Sequence, residues 1–475
     1  MQDAPVLIVG GSVVGLSMAL FLAQYNVHAL VVERHAGTAL HPRSRVLHAR
    51  TVELFRTSGV AAKLEALGAM DEGAEGDWSP ARAVYLGQDR TEPILLESAR
   101  SVGAEVRFGC ELIGFRSEPD CVIAELYDRT SRETRALCAR YLVAADGVDS
   151  FVRERLSIAR SGRGSLGHSL AILFDADPCH DMPTGFTQIT DPAAAGVLVA
   201  TDVPGRYIYS IDYDPERDRI EDFTRDRWTA RLRVALQSES QSPCIAGVFP
   251  WEVAERVAER FSLGRVFLAG DSAHQMPPMG AFGANTGIQD TANLAWKLAW
   301  VLRGAADESL LESYHCERHP VAVATAEHAA VSALRMTEPG REATRDIILP
   351  DEACVMRAYR YGVTPVIPLQ LAAEAARGEV GSRVPHIWLD RARTRSTIDL
   401  CGYEPRLISA DPRWGETAVP SAHVPEAASA LALGASGAAL VRPDAIVAAR
   451  WQEGDGEPGT WLASALRLVG WRATV

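Results

Sequence analysis

At 475 residues the chain exceeds the roughly 250–300 residues at which single cores stop growing, so two or three domains are expected. Its 47% hydrophobic and 23% charged residues fit a compact globular protein and exclude fibre, mucin and disordered classes. A net charge of -13 without a long Lys/Arg tract argues against nucleic acid as a partner. The apolar stretches at Val6–Val9 and Leu16–Leu22 are broken by glycines and read as neither signal peptide nor membrane span, so a soluble, cytoplasmic protein with no membrane partner is expected.

In chain order, Val6–Val9 reads as a buried strand, Gly10-Gly-Ser-Val-Val-Gly15 as a turn and Leu16–Ala23 as a helix. Val27–Val32 is a second strand that stops at Glu33. This is the pattern of a dinucleotide site. Gly10 lets the chain turn, a compact residue at position 12 lets pyrophosphate approach, and Gly15 lets the helix pack closely on the sheet. The helix N-terminus takes the phosphate charge and Glu33 stands where a ribose would sit. Ser12 replaces the middle glycine of the motif, Val14 lies within it, and Arg34 follows Glu33. Because Glu33 would face a 2′-phosphate as a like charge, FAD or NAD suits this slot better than NADP.

His41-Pro-Arg-Ser-Arg45 is a basic turn in which Arg43 is placed to clamp phosphate. An amphipathic stretch Arg50–Leu67 follows, then a helix opening at Gln88 and strands around Ala104–Phe108, Leu112–Phe115 and Val122–Tyr127. A buried strand, Tyr141–Ala145, ends in Asp146-Gly147, where the carboxylate can touch a cofactor or cap the next helix. Between about 160 and 260, strands at Leu170–Phe174, Gly196–Ala200, Arg206–Asp212 and Ile245–Phe249 with a helix at Arg225–Leu236 point to an inserted antiparallel sheet that walls a ligand cavity.

The chain then returns to Arg265–Gly270, a strand that exposes Asp271. A Pro/Gly-rich loop runs to Gly287, and Ile288–Leu302 reads as a helix with Asp290 near its start, its amides facing the pyrimidine end of a flavin. His274 reads as a structural hydrogen-bonding residue rather than a proton-transfer group. No serine, histidine and acid arrangement calls for covalent catalysis. Eight cysteines scattered without CxxC or a zinc-like cluster read as reduced and structural, with no metal site.

The ordered set of Gly10–Gly15 with Glu33, Asp146-Gly147 with Arg153, and Gly270-Asp271 followed by Pro278 and Asn285 resembles the class A FAD-dependent aromatic hydroxylases, the para-hydroxybenzoate and phenol hydroxylase family. Gly381–Leu389, Ser396–Leu400 and Val441–Arg450 look like the C-terminal thioredoxin-like domain of its aromatic polyketide hydroxylase branch. The resemblance implies an α/β Rossmann-like FAD-binding domain (1–70, 84–160 and 261–335) interleaved with an α+β antiparallel-sheet substrate domain (71–83 and 161–260). A helical linker (336–375) and a thioredoxin-like domain without CxxC (376–475) would complete the chain, the last serving structure or assembly.

By the same resemblance, Gly10, Ser12, Val14, Gly15, Glu33, Arg34, Arg43, Gln88, Asp146, Asp271, Pro278, Gly283, Ala284 and Asn285 bind FAD. Glu33 would hold the adenosine ribose, Arg43 and Gln88 approach the pyrophosphate, and Asp271 bind the ribityl chain. Pro278, Gly280 and Gly283 would shape the pocket in which a flavin C4a-hydroperoxide oxygenates a phenolic, polycyclic substrate, with NADPH or NADH and O2 consumed. No catalytic base is assigned among Tyr207, Tyr209 and His274. Baeyer–Villiger insertion, epoxidation and oxidative decarboxylation remain same-fold alternatives, and an idle FAD-bound assembly protein is the alternative of another class. Monomer and homodimer both stay open. Ser12 and Ala281 stand where the family has glycines. The stretch from Gly68 to Gln88 is short for the family, and chain omitted near Asp77–Arg82 is expected to account for it.

Overall fold

The computed structural model describes residues 4–70, 78–177, 186–238, 240–337, 342–364, 366–369, 378–417 and 419–472. The first unit opens with β1 (Ala4–Val9), α1 (Val13–Gln24) and β2 (Ala29–Glu33). β1 is an unbroken apolar run because it is covered on both faces, pairing in parallel with β2 on one side. β3 (Val46–Leu47), α2 (Ala49–Leu54), α3 (Val60–Leu67), β4 (Ala69–Met70) and β5 (Val84–Tyr85) follow. The expected amphipathic stretch 50–67 is thus two helices, broken at Gly59, which takes φ +73. α4 (Gln88–Ser101), β6 (Glu105–Phe108), β7 (Cys110–Ser117), β8 (Val122–Asp128), β9 (Glu133–Ala144) and α5 (Phe151–Arg155) complete this part.

The second sheet is built from β10 (Arg160–Asp175), β11 (Phe186–Ile189), β12 (Gly196–Ala200), β13 (Arg206–Tyr213) and β14 (Cys244–Ala258), with α6 (Arg225–Ala235) on one face. Period-two alternation sorts its residues. Leu170, Ile172, Phe174, Tyr207, Tyr209 and Ile211 pack with Trp228 and Leu232 of α6. Ala171, Leu173 and Ile208 form a smaller apolar patch with Phe249 and Trp251.

The chain re-enters the first unit through β15 (Ser262–Leu263) and β16 (Val266–Leu268), giving the order β15-β16-β9-β1-β2-β6. β17 (His274–Gln275) joins the edge of the second sheet beside β14, so the chain passes from the first sheet to the second between β16 and β17. α7 (Phe282–Leu302) and α8 (Glu312–Thr337) follow, then α9 (Glu342–Arg345) and α10 (Glu352–Arg357). The last unit carries β18 (Arg406–Ser409), β19 (Ser421–His423), α11 (Pro425–Ala430), β20 (Ala438–Val441), β21 (Val447–Trp451) and α12 (Pro458–Leu468). Its mixed sheet runs β19-β18-β20-β21, with β18 parallel to β19 and antiparallel to β20. Buried ion pairs fasten it to the rest: Arg383 to Glu53 of α2, and Arg442 to Glu317 of α8 at 2.6 Å.

One expectation is corrected. The helix after the Pro/Gly loop begins at Phe282 rather than Ile288, so Asp290 lies well inside α7 instead of near its start. Trp78–Ala83 contributes no strand to the second sheet; the Trp78 carbonyl accepts from Arg383 and the Pro80 carbonyl from Arg56. Numbering runs without a break through Asp77–Arg82, and Asp77 with the rest of 71–77 lies outside the described residues. No described helix is long and apolar enough to cross a membrane.

Candidate active site

The carboxyl ends of β1, β2, β9 and β16 bring the separated motifs to one edge of the first sheet, where open α/β sheets bind ligands. Gly10 has φ +107, and a Cβ there would stand 2.1 Å from the Ala145 carbonyl oxygen. One at Gly15 would stand 1.9 Å from the Gly10 oxygen. Both glycines are therefore required by close approach, as their motif predicts. Gly11, which the motif leaves free, is also constrained: its amide donates to Glu33 Oε2 at 2.7 Å and a Cβ would stand 2.9 Å from that of Glu33.

Ser12 is the N-cap of α1 but makes no side-chain cap bond, and the first turn carries no acidic residue. Ser12 thus spends none of the amides at the positive end of α1, although the Val13 amide is bonded to the Glu92 carboxylate at 3.2 Å. Val14 is buried and fixes the next loop by contact with Gly270 and Gly287, neither of which has room for a side chain. Glu33 Oε1 accepts from the His35 amide at 2.8 Å, while Arg34 beside it is exposed.

Gln88 reaches the same edge through Glu92, a residue the sequence reading missed. Glu92 is 1% exposed and accepts from Gln88 Nε2 at 2.7 Å, Ala39 N at 2.6 Å and Val13 N at 3.2 Å. Burial pushes its carboxyl up, and these donors partly offset that. Its only sequence signal is its place one helical turn after Gln88. Asp146 Oδ2 accepts from Val152 N at 3.1 Å and so caps α5, while its buried Oδ1 has no partner among the described residues. Burial raises its carboxyl too, with the Ser150 hydroxyl and the Val152 amide pulling it back.

Asp271 follows β16 on the loop Gly270–His274. Its side chain is exposed, yet the surrounding protein pushes its carboxyl up, with His274 and Arg43 drawing it part of the way back. Arg43 and His274 therefore stand near enough to this exposed carboxylate to act on it. Pro278 is exposed, and Gly280, Gly283 and Ala284 are half-exposed, so together they form an accessible ledge at the start of α7. Asn285 lies behind them: Oδ1 accepts from His48 N, and Nδ2 donates to Val46 O and Ala281 O, each at 2.8 Å. Its side chain is spent on the scaffold, leaving only its backbone for a ligand. His48, also missed, bonds the Gly280 carbonyl at 2.8 Å through Nε2.

His274 is fully buried and bonds Asp290 at 2.7 Å, as the structural reading expects. Tyr209 donates to the Ala194 carbonyl and packs beneath α6, as does Tyr207, so both lie on the sheet face away from the small patch. The glycine cradle, the N-terminus of α1, the unpartnered Asp146 oxygen and the exposed Asp271 beside Arg43 suit a long, anionic dinucleotide. They fit FAD.

The FAD binding domain family matches residues 3–329. The tetracenomycin B2 monooxygenase-dioxygenase of Streptomyces olivaceus is 36% identical over 534 residues, covering 98% of each chain. An aklavinone 12-hydroxylase of Streptomyces purpurascens is 35% identical over 536 residues, covering 98% of this chain and 99% of its own. Both alignments are longer than the 475 residues of this chain, so these relatives carry internal segments that it lacks. A crystal structure of aklavinone-11 hydroxylase in ternary complex with FAD and aklavinone matches with a TM-score of 0.88 at 32% identity, covering 99% of both chains. The chain belongs to the class A FAD-dependent aromatic hydroxylases, in the branch that serves polyketide antibiotic biosynthesis.

Proposed function

We propose that the chain hydroxylates a phenolic ring of a polycyclic aromatic polyketide, using NADPH or NADH and O2. The observation that carries this is the convergence of three distant motifs on one edge of the first sheet, with the ledge at Pro278–Ala284 coming shortly after β17 of the second sheet. Relatives whose names specify aklavinone and tetracenomycin B2 support the substrate class.

Bound FAD supplies the means of passing electrons from a nicotinamide to O2, which side chains alone lack. In this reading Gly10, Gly15 and the α1 N-terminus hold the pyrophosphate with Arg43 and Gln88, Glu33 takes the adenosine ribose, and Asp271 takes the ribityl hydroxyls. Asp146 contributes its free oxygen. Pro278, Gly280, Gly283 and Ala284 offer no acid or base; they present backbone and a close apolar surface that excludes water and aligns the substrate ring. No second dinucleotide fingerprint is present for the nicotinamide, which fits a transient visit. We place the enzyme in the cytoplasm as a monomer or homodimer.

The test is oxidation of NADPH by FAD-loaded protein across a panel of polycyclic phenols, with products weighed after reaction under 18O2. Substrate-stimulated turnover with one labelled oxygen in the product is expected. Label entering from water, or no aromatic stimulating turnover, would overturn the reading.

A further inference from the structure

The loop that presents Asp271 is held at both ends by one buried carboxylate. Asp290, fully buried in α7, accepts from Gly270 N at 3.3 Å and from His274 Nε2 at 2.7 Å through Oδ2. Its Oδ1 accepts from Arg318 Nε of α8 at 2.8 Å. Between these anchors Ser272 donates its hydroxyl to Ala144 O of β9, and its carbonyl accepts from Arg153. Ala273 is bonded as well, its amide to Gly270 O and its carbonyl from Ala258 N, so every neighbour of Asp271 is tied down while its own side chain is exposed.

Arg318 is fixed in turn. It lies over the Tyr359 ring and donates to the Tyr361 hydroxyl at 3.2 Å and to Thr286 O at 3.3 Å. Tyr361 N donates to Gly381 O, and Gly381 N to Val447 O of β21 in the C-terminal sheet. A continuous line of bonds therefore runs from the C-terminal unit to the loop beside Asp271. His274, Asp290 and Arg318 are all fully buried, where an ion pair stabilises no better than apolar residues of similar size. What it supplies there is direction.

We propose that Asp290 is a positioning residue for the cofactor loop, and that the C-terminal unit braces it through Tyr361 and Arg318. This gives a role to a thioredoxin-like unit that has no CxxC. It rests on the reading that Asp271 holds FAD. Asp290→Asn keeps the shape but must turn an NH2 either toward Arg318 or toward the Gly270 amide, so a donor meets a donor in both orientations. The loop then loses one anchor.

The experiment measures FAD affinity by titrating apoprotein, the visible spectrum of the bound flavin, and the melting temperature of the apoprotein. Asp290→Asn is expected to weaken FAD at least tenfold and shift the flavin spectrum. Tyr361→Phe, whose hydroxyl bonds neither the loop nor Asp271, is expected to weaken FAD about threefold with the same spectral shift. The double variant is expected to be no worse than Asp290→Asn alone, because both act along one line. If Asp290→Asn is insoluble, Tyr361→Phe decides. Unchanged FAD affinity in Tyr361→Phe, or a lower apoprotein melting temperature with an unshifted flavin spectrum, overturns the brace. Asp271→Ala separates the two readings: unchanged FAD affinity there removes the premise, whereas a loss there with none in Tyr361→Phe removes the brace alone.

Discussion

Gly283 shows how a single position separates the demands of the fold from those of the site. A Cβ there would meet only Met276 Cγ, at 3.8 Å, which is ordinary contact. Alanine should therefore be accepted, and in a helix it is favoured over glycine by up to about 1 kcal/mol. The same methyl would project from the ledge assigned to the flavin. Gly283→Ala is expected to leave the apoprotein melting temperature unchanged or higher while weakening FAD at least tenfold, measured by flavin titration. Equal FAD affinity would place the flavin elsewhere. The opposite holds for Gly10 and Gly15, whose absent side chains serve the backbone itself. That distinction was legible for the first glycines because the motif fixes their roles. It was not legible for Gly11, Glu92 or His48, whose partners lie 22, 79 and 232 residues away in sequence.

At the scale of elements, the start of α7 is where sequence reading fell short. Two prolines and three glycines from Pro277 to Gly287 read as loop, yet helix begins at Phe282, directly after Ala281 in a left-handed conformation at φ +53. The stretch overcomes its poor propensity through Asn285, whose amide joins Ala281 and β3, and through His48, which bonds Gly280. Tertiary bonds outweigh local preference here, and a local pattern has no means of showing them. The strands of the two sheets were easier, because continuous apolar runs and period-two alternation are local properties; β10 and β14 extend beyond the apolar cores read for them because bulged, polar extensions continue the pairing. Asn285→Ala removes three hydrogen bonds and strands the Val46 and Ala281 carbonyls and the His48 amide. A loss of about 2–4 kcal/mol is expected by urea denaturation, together with weaker FAD binding. A loss below about 1 kcal/mol would show that α7 starts where it does without this tether.

Across the whole molecule, burial of charge sets a pH window. Burial first, then Arg43 and Arg45, push the His41 imidazole down to about 4. Burial, with Arg383 and Arg56, does the same to His386. In the unfolded chain both protonate near pH 6.5. Above that value they are neutral in either state and contribute nothing. Between about 6.5 and 4 the unfolded chain binds protons that the folded one refuses, so stability falls as pH drops. Glu53 and Asp290 are held below the ordinary carboxylate range by their arginines despite burial, so their contribution is present above about pH 4 and is lost below it. Two stages of acid loss follow. His41 isolates the first, since both its ring nitrogens are buried without a partner among the described residues and its ring only abuts Phe249. His41→Leu removes polar atoms that bond nothing, so stability at pH 7.5 is expected to hold or rise. At pH 5 the variant is expected to exceed the parent by about 2 kcal/mol, its share of the avoided proton uptake. Urea denaturation at the two pH values measures both. A variant that lost stability in parallel with the parent between pH 6.5 and 5 would show that His41 is already hydrated and titrates freely in the folded protein.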